Sequence, residues 1–361
     1  MPRVHDGKRS GTNQCGEAIN LLMTANLDQA VPADGVDAGV AWHYGDPLRE
    51  QRLLDTGVGV VDRSNRDVLT VSGPDRLSWL HSICSQHLSA LTDGDSTEAL
   101  VLTPHGHVEQ HWQLSELGDT VWIDTEPDAG PDVLGYLEKM RFLMRVEMAD
   151  VSENWAVLSV VGPAAEAVLA VAGFAYPPAG RAAAVDGGGF VRRLPSRADV
   201  DLIVPSERKG EIIAQLIDAG AAPAGMWAYD AMRCAARRPR LRFETDHRTI
   251  PHEVGWIGTA VHLQKGCYRG QETVARVHNL GKPPRRLVLI HLSGESDDLP
   301  APGTPVSVDG RTVGFLGTAV HHYELGPIGL AVIKRSTSDD AELTVGAAVA
   351  RIDPDPEPPS G

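Results

Sequence analysis

The stretch Lys265-Gly266-Cys267-Tyr268-Arg269-Gly270-Gln271-Glu272 sets a lone thiol between two cations, inside a turn bracketed by glycines. Glycine permits conformations and close approaches that a side chain forbids, so the turn leaves room for a ligand near Cys267. The flanking cations Lys265 and Arg269 favour thiolate over thiol, and only the thiolate is a good nucleophile or metal ligand. The residues that follow predict a helix. Glu272 and Arg276 stand at i and i+4, Val274 and Val277 at i and i+3, and Gly281 is placed to end it.

Working outward, 361 residues exceed one ordinary core and predict two or three domains. Hydrophobic content of 42% and charged content of 22% are those of a globular, water-soluble chain. The 37 Gly and 25 Pro predict many turns and short elements rather than a helical bundle. The richest apolar run, Ala156 to Ala175, is cut by Pro163 and Glu166, so no segment reads as a membrane span. The N-terminus lacks a basic-then-apolar leader pattern, which makes the cytoplasm the default location. Cys15, Cys84, Cys234 and Cys267 are far apart and show no CxxC or Cys/His spacing. Neither a disulfide framework nor a resident metal or cluster held by this chain alone is indicated.

The formal net charge of −15 argues against non-specific binding to nucleic acid. It is unevenly spread. Between Arg233 and Arg286 stand 12 Lys or Arg against Glu244, Asp246, Glu253 and Glu272. Such a basic zone in an acidic protein either receives an anionic ligand or partner, or pairs internally with the acidic excess.

One pattern recurs. Asp67 to Ser72 reads as a strand, Gly73-Pro74 as a turn and the following residues to Cys84 as a helix. The same order returns at Trp155 to Val161, Gly162-Pro163 and Ala164 to Ala172, which points to a duplicated α+β module. Further strands are predicted at Glu98 to Leu102, Gln110 to Leu114, Thr120 to Asp124 and Val200 to Val204, with helices at Asp46 to Leu54, Val133 to Phe142 and Lys209 to Ala219. After Pro283-Pro284 come short strands, at Leu287 to Leu292, Pro305 to Val308, Arg311 to Leu316, Ile328 to Val332 and Ala348 to Ile352. Asp309-Gly310 between two of them is a hairpin turn that matches strand twist. The expected layout is a flexible N-terminal arm at 1–36, α+β domains at 37–150 and 151–282, a small β-barrel at 283–352 and a disordered tail at 353–361.

The octapeptide, with Val274-Ala275-Arg276 after it, resembles the signature of the YgfZ-type folate-binding proteins. These are relatives of the glycine-cleavage T-protein, an aminomethyltransferase, and are implicated in iron-sulfur cluster assembly and repair in bacteria. The likeness extends more weakly over Val58 to Val349. It implies two ferredoxin-like α+β domains and a C-terminal β-barrel in a ring around a channel that accepts tetrahydrofolate. It also implies iron-sulfur client or assembly proteins as partners, and no membrane. Alternatives are a folate-dependent one-carbon transferase or demethylase, and a non-catalytic adaptor for a cluster-dependent tRNA-modifying enzyme.

By the same resemblance, Cys267 and Lys265 are the candidates for chemistry, and Trp227, Glu253, Trp256, Tyr268 and Arg269 for the folate pocket. Each has a plainer reading. Cys267 is then a structural thiol, Lys265 a solvated surface ammonium, Trp227 a core side chain and Glu253 the partner of a neighbouring Arg. Arg233 and Asp62 also fall on positions the family fills. Two departures matter. The family's G-G-x-x-D-D element reads Gly106-His107-Val108-Glu109-Gln110-His111, and its R-x-E-A-G segment reads Arg233-Cys234-Ala235-Ala236-Arg237. The first loses the carboxylate that assists transfer at the folate N5 in that family, and the second loses its Glu. A second folate-contacting Trp is replaced by Arg66-Asp67. His105, His107 and His111 share strand parity, which suits either a metal or a polar channel wall.

Overall fold

The computed structural model describes residues 27, 29–293 and 298–354. Most of the expected arm, Cys15 and the tail beyond 354 lie outside them. Of the arm, Val31–Pro32 pairs with Ala41–His43, and at the other end Asp353 accepts from Arg237 and pairs with His291.

Among the described residues, the first α+β unit is a five-stranded antiparallel sheet. Its strands run in the spatial order Ser96–Leu102, Val108–Leu117, Thr120–Thr125, Asp67–Ser72, Glu147–Asp150. Helices Arg76–Ile83 and Gly130–Met140 cover one face, burying Trp79, Leu80, Val133 and Leu137 against Leu69, Val71, Trp112 and Ile123. The Trp79 indole donates to the Met140 carbonyl at 2.9 Å and ties the two helices together.

The second sheet has six strands, ordered Arg181–Ala184, Phe190–Arg193, Val200–Pro205, Trp155–Val161, Gly59–Asp62, Ala222–Ala224. Gly59–Asp62 comes from the first stretch of the chain yet pairs inside this second sheet, antiparallel to Trp155–Val161 and parallel to Ala222–Ala224. Trp155–Val161 shows why its sequence is almost wholly apolar. Alternate residues Ala156, Leu158 and Val160 meet helices Ala165–Val171 and Lys209–Asp218, while Val157 packs toward the first unit.

Both Gly-Pro turns are geometrically required. Gly73 and Gly162 have φ of +105° and +128°, and a Cβ on either would lie 2.3 or 2.4 Å from the carbonyl oxygen of Arg145 or Gly57. The Asp309-Gly310 turn has positive φ at both positions, as a hairpin of that type demands. The C-terminal strands close into a six-stranded barrel, Arg285–Leu292, Gly326–Lys334, Arg311–His322, Pro305–Val308, Glu342–Val345, Ala348–Ile352, and back to the first.

Helix Met226–Ala235 sits at the junction. Its Ala231 and Cys234 pack on barrel residues Leu289, Val320 and Leu330, and its Met226 and Tyr229 on Val61 and Val161 of the second sheet. A further cluster joins Leu100 and Val108 of the first sheet to Trp256, Val261, Tyr268 and Val274, and to Val332 of the barrel. Three units therefore share one interior.

Candidate functional site

A cavity of about 960 Å³, its open mouth included, lies between the two α+β units and the junction helix. Its walls come from both α+β units and the segments that join them: Arg63 and Arg66 between two strands, Glu98 and His111 on the first sheet, Arg197 on a loop of the second, Tyr229 and Arg233 on the junction helix, and Trp256. Seven arginines line it, against four carboxylates.

Most of these arginines are held by buried carboxylates, which fix them in direction. Arg66 donates to Asp124 at 2.7 Å and to Glu126 at 3.0 Å. Arg240 reaches the other oxygen of Glu126 at 2.6 Å and grips Asp37 with both terminal nitrogens, at 2.7 and 2.9 Å. Arg238 reaches both oxygens of Asp199 with one nitrogen, Nη1, at 2.7 and 2.8 Å, and the Tyr229 hydroxyl donates to the same carboxylate at 3.1 Å. Arg63 lies over the Tyr229 ring, 4.5 Å from its centre. Burial raises the carboxyl pKa of Glu126 and Asp199, but the surrounding guanidinium groups outweigh it and hold both below the usual range. For Arg63 burial prevails and lowers its pKa. Such a frame costs little to reorganise when an anionic or carbonyl-bearing ligand arrives.

On one wall His111 and Glu98 form a pair. Glu98 is directly opposite Gln113 across the strand pair, so His111, two residues from Gln113, shares its face. The imidazole Nε2 lies 3.2 Å from Glu98 Oε2, the Ser196 hydroxyl donates to Oε1 at 2.7 Å, and the imidazole stacks on Trp256 at 4.7 Å.

Of the residues named from sequence as candidates for chemistry or for the folate pocket, Trp256 lines this cavity, and Arg66, Arg233 and His111, noted there for other reasons, line it too. Trp227 stacks on Trp42 at 5.7 Å and donates to the His321 carbonyl at 3.4 Å, between the junction helix and the barrel. Glu253 is buried and committed to Arg285, which reaches its two oxygens at 2.9 and 2.8 Å, while the Ile250 amide takes a further position. Its plainer reading describes the geometry found.

The octapeptide is a clamp. Lys265 is turned inward, and its ammonium donates to the backbone carbonyls of Cys84 at 2.7 Å, Gln86 at 3.0 Å and His81. All three N–H groups are thereby used, and burial lowers its pKa. Tyr268 is buried beneath it, with the ammonium 5.3 Å from the ring centre, and burial pushes the phenol up to about 12. Arg269 pairs with Glu109 at 2.9 Å, half-exposed. Gly270 serves backbone contact, since a Cβ there would stand 2.6 Å from the Thr103 oxygen and 2.8 Å from Gly106 Cα. Cys267 is left exposed at the crest, whereas Cys84 and Cys234 are buried and burial raises both thiol pKa values, Cys84 to about 11.

The basic zone is largely spent on internal pairs, including Arg233 with Asp230 and Glu244, Arg242 with Asp132, and Arg286 with Asp339. His105 and His107 lie in the turn before the Val108–Leu117 strand, so only His111 reaches the cavity. Among the described residues no group of three or more His, Cys, Asp or Glu is arranged to hold a metal ion. Sequence reasoning missed Arg63, Arg197, Tyr229 and Arg240. The one signal available was the excess of Arg over Lys, 27 to 6, which suits fixed, forked pairing.

Comparison with known proteins agrees with this architecture. Residues 38–174 match the GCVT N-terminal domain, and residues 285–358 the CAF17 C-terminal beta-barrel domain. A chloroplastic protein of Arabidopsis thaliana, named as a transferase candidate, is 26% identical, over 83% of this chain and 71% of its own. The aminomethyltransferase of Rubrobacter xylanophilus is 29% identical, over 84% of this chain and 83% of its own. The crystal structure of aminomethyltransferase T of the glycine cleavage system from Bartonella henselae superposes with a TM-score of 0.79 at 17% identity, covering 92% of this chain and 94% of that one. The fold is that of the T-protein.

Proposed function

We infer a function from a chain that is an aminomethyltransferase relative, joining a GCVT N-terminal domain to a CAF17-type barrel: it binds tetrahydrofolate in the central cavity and supports iron-sulfur cluster assembly or repair through Cys267. The cavity carries the reading. A flat, carbonyl-rich ring with an anionic tail suits a space that offers Trp256, His111 and fixed guanidinium groups together. Cys267 supports the second half, as the exposed thiol among the described residues, on a loop that Lys265 and Gly270 hold in place. Lys265 acts here as a positioning residue. An exposed free thiol also fits a reducing compartment such as the cytoplasm.

Thermal unfolding with reduced folates tests the cavity. Tetrahydrofolate should raise the melting temperature of the wild type and of Trp227→Ala, and leave Trp256→Ala unmoved. Equal stabilisation of Trp256→Ala would remove the cavity assignment. Cys267→Ser should keep the fold and the folate response but fail to restore cluster-dependent enzymes in a deletion strain. Full restoration would end the role of the thiol.

A second reading, a folate-dependent one-carbon transferase, has the aminomethyltransferase relatives in its favour. Against it, Glu109, the carboxylate nearest the altered family element, is bound to Arg269. Methylene-tetrahydrofolate formed from aminomethyl or methylamine donors would decide for it. Internal pairing of the basic zone leaves a charge-driven adaptor with the least support.

A further inference from the structure

The pair of Glu98 and His111 is more than a wall of the cavity. Glu98 is deeply buried, yet its two oxygens receive Ser196 on one side and His111 on the other. Burial raises its pKa, but the hydrogen bonds from His111 and Ser196 and the charge of Arg197 work against this, and the carboxyl is held at about 2. An ionised carboxylate only accepts, so Nε2 of His111 carries a proton and donates it. In the neutral ring the lone pair then sits on Nδ1. Stacking on Trp256 fixes the ring plane, and a base fixed by an orienting carboxylate is the arrangement used for proton transfer.

We propose that His111 is the acid–base residue of the cavity: Nδ1 takes up one proton when a ligand brings a hydrogen-bond-accepting oxygen against it, and releases it when the ligand leaves. The ligand group is a ring carbonyl of a reduced folate, and this identification rests on the folate reading of the cavity. The balance is simple. One proton moves from solvent to Nδ1, the other stays on Nε2 and is donated to Glu98, and no covalent bond to carbon or electron transfer is involved. The charged groups sharing the space are Arg197 from the loop of the second sheet, Arg63 and Arg66 from the segment between strands, Glu126 at a strand end, Asp37, and Asp230, Arg233, Arg237, Arg238 and Arg240 on and after the junction helix. Glu126 and Asp230 are occupied by Arg240 and Arg233, which leaves Glu98 as the counter-ion of the imidazolium.

Calorimetric titration with 5-formyltetrahydrofolate, in buffers of different ionisation enthalpy, reads the proton directly. Wild type should take up a proton on binding, with affinity weakening by up to about tenfold per pH unit as pH rises. His111→Asn and His111→Gln should bind with no uptake and a flat profile, and Glu98→Gln with reduced uptake. Melting curves of each variant establish that it is folded. Binding without uptake in wild type, or equal uptake in the His111 variants, overturns the role of His111 and leaves the folate reading standing. No binding to wild type overturns both.

Discussion

At the scale of single residues, a side chain's partner decided its role more than its type. Lys265 and Cys267 are two positions apart, but one is sunk onto three carbonyls and the other stands in solvent. Glu253 and Glu98 are both buried acids, but one is gripped by Arg285 and the other faces the cavity. For Glu98 the folded pKa lies below the unfolded value, 2 against 4.5, so its contribution to stability is complete above about pH 4.5. It is lost as pH falls toward 2, and amounts to something on the order of 3 kcal/mol. Glu98→Gln should therefore show a shallower loss of stability between those pH values in denaturant titrations. A slope equal to that of wild type would contradict the assignment.

At the scale of elements, local chemistry was legible wherever the backbone itself is special. Gly73, Gly162 and Asp309-Gly310 announce turns because their conformations are closed to most other residues. The octapeptide was legible as a turn leading into a helix, now Gln271–Leu280, yet the purpose of its glycines was not. Gly270 has φ +82° and touches the Thr103–Gly106 turn, while a Cβ on Gly266 would meet nothing within 4 Å. Gly270→Ala should cost about 2 kcal/mol or more in chemical denaturation. Gly266→Ala should stay within about 0.5 kcal/mol of wild type. Equal effects would show that the clamp is not made by that contact.

At the scale of the whole molecule, the units are not independent bodies joined by linkers. Arg233 on the junction helix reaches Thr318 of the barrel at 2.6 Å, and Glu244 accepts from the Thr318 amide at 2.8 Å. The Gly59–Asp62 strand crosses from one sheet's stretch of chain into the other sheet. Removing the barrel uncovers Ala231, Cys234 and Trp227 and leaves buried charges unpaired. The full chain should unfold in one cooperative step, and residues 27–284 alone should bind a hydrophobic dye and melt without a sharp transition. A cooperative melt of the truncated chain would refute this.

The two strand, Gly-Pro turn and helix units, the change to strands without helices after Pro284 and the family signature at Lys265 to Glu272 follow from the sequence by itself. Strands such as Gly59–Asp62 and Glu342–Val345 were not foreseen, and Arg311–His322 runs to twelve residues where Arg311 to Leu316 was expected. Period, glycine conformation and turn chemistry are local, and local physics is written in neighbouring residues. The cavity was decided by tertiary structure, because Arg63, Glu98, His111, Arg197, Tyr229 and Trp256 are far apart along the chain and become a site only when the two α+β units and the junction helix close on one another. So was the division of labour within the octapeptide. Its cations were visible in sequence, but which one would be drawn inward depended on carbonyls at His81, Cys84 and Gln86, nearly two hundred residues away.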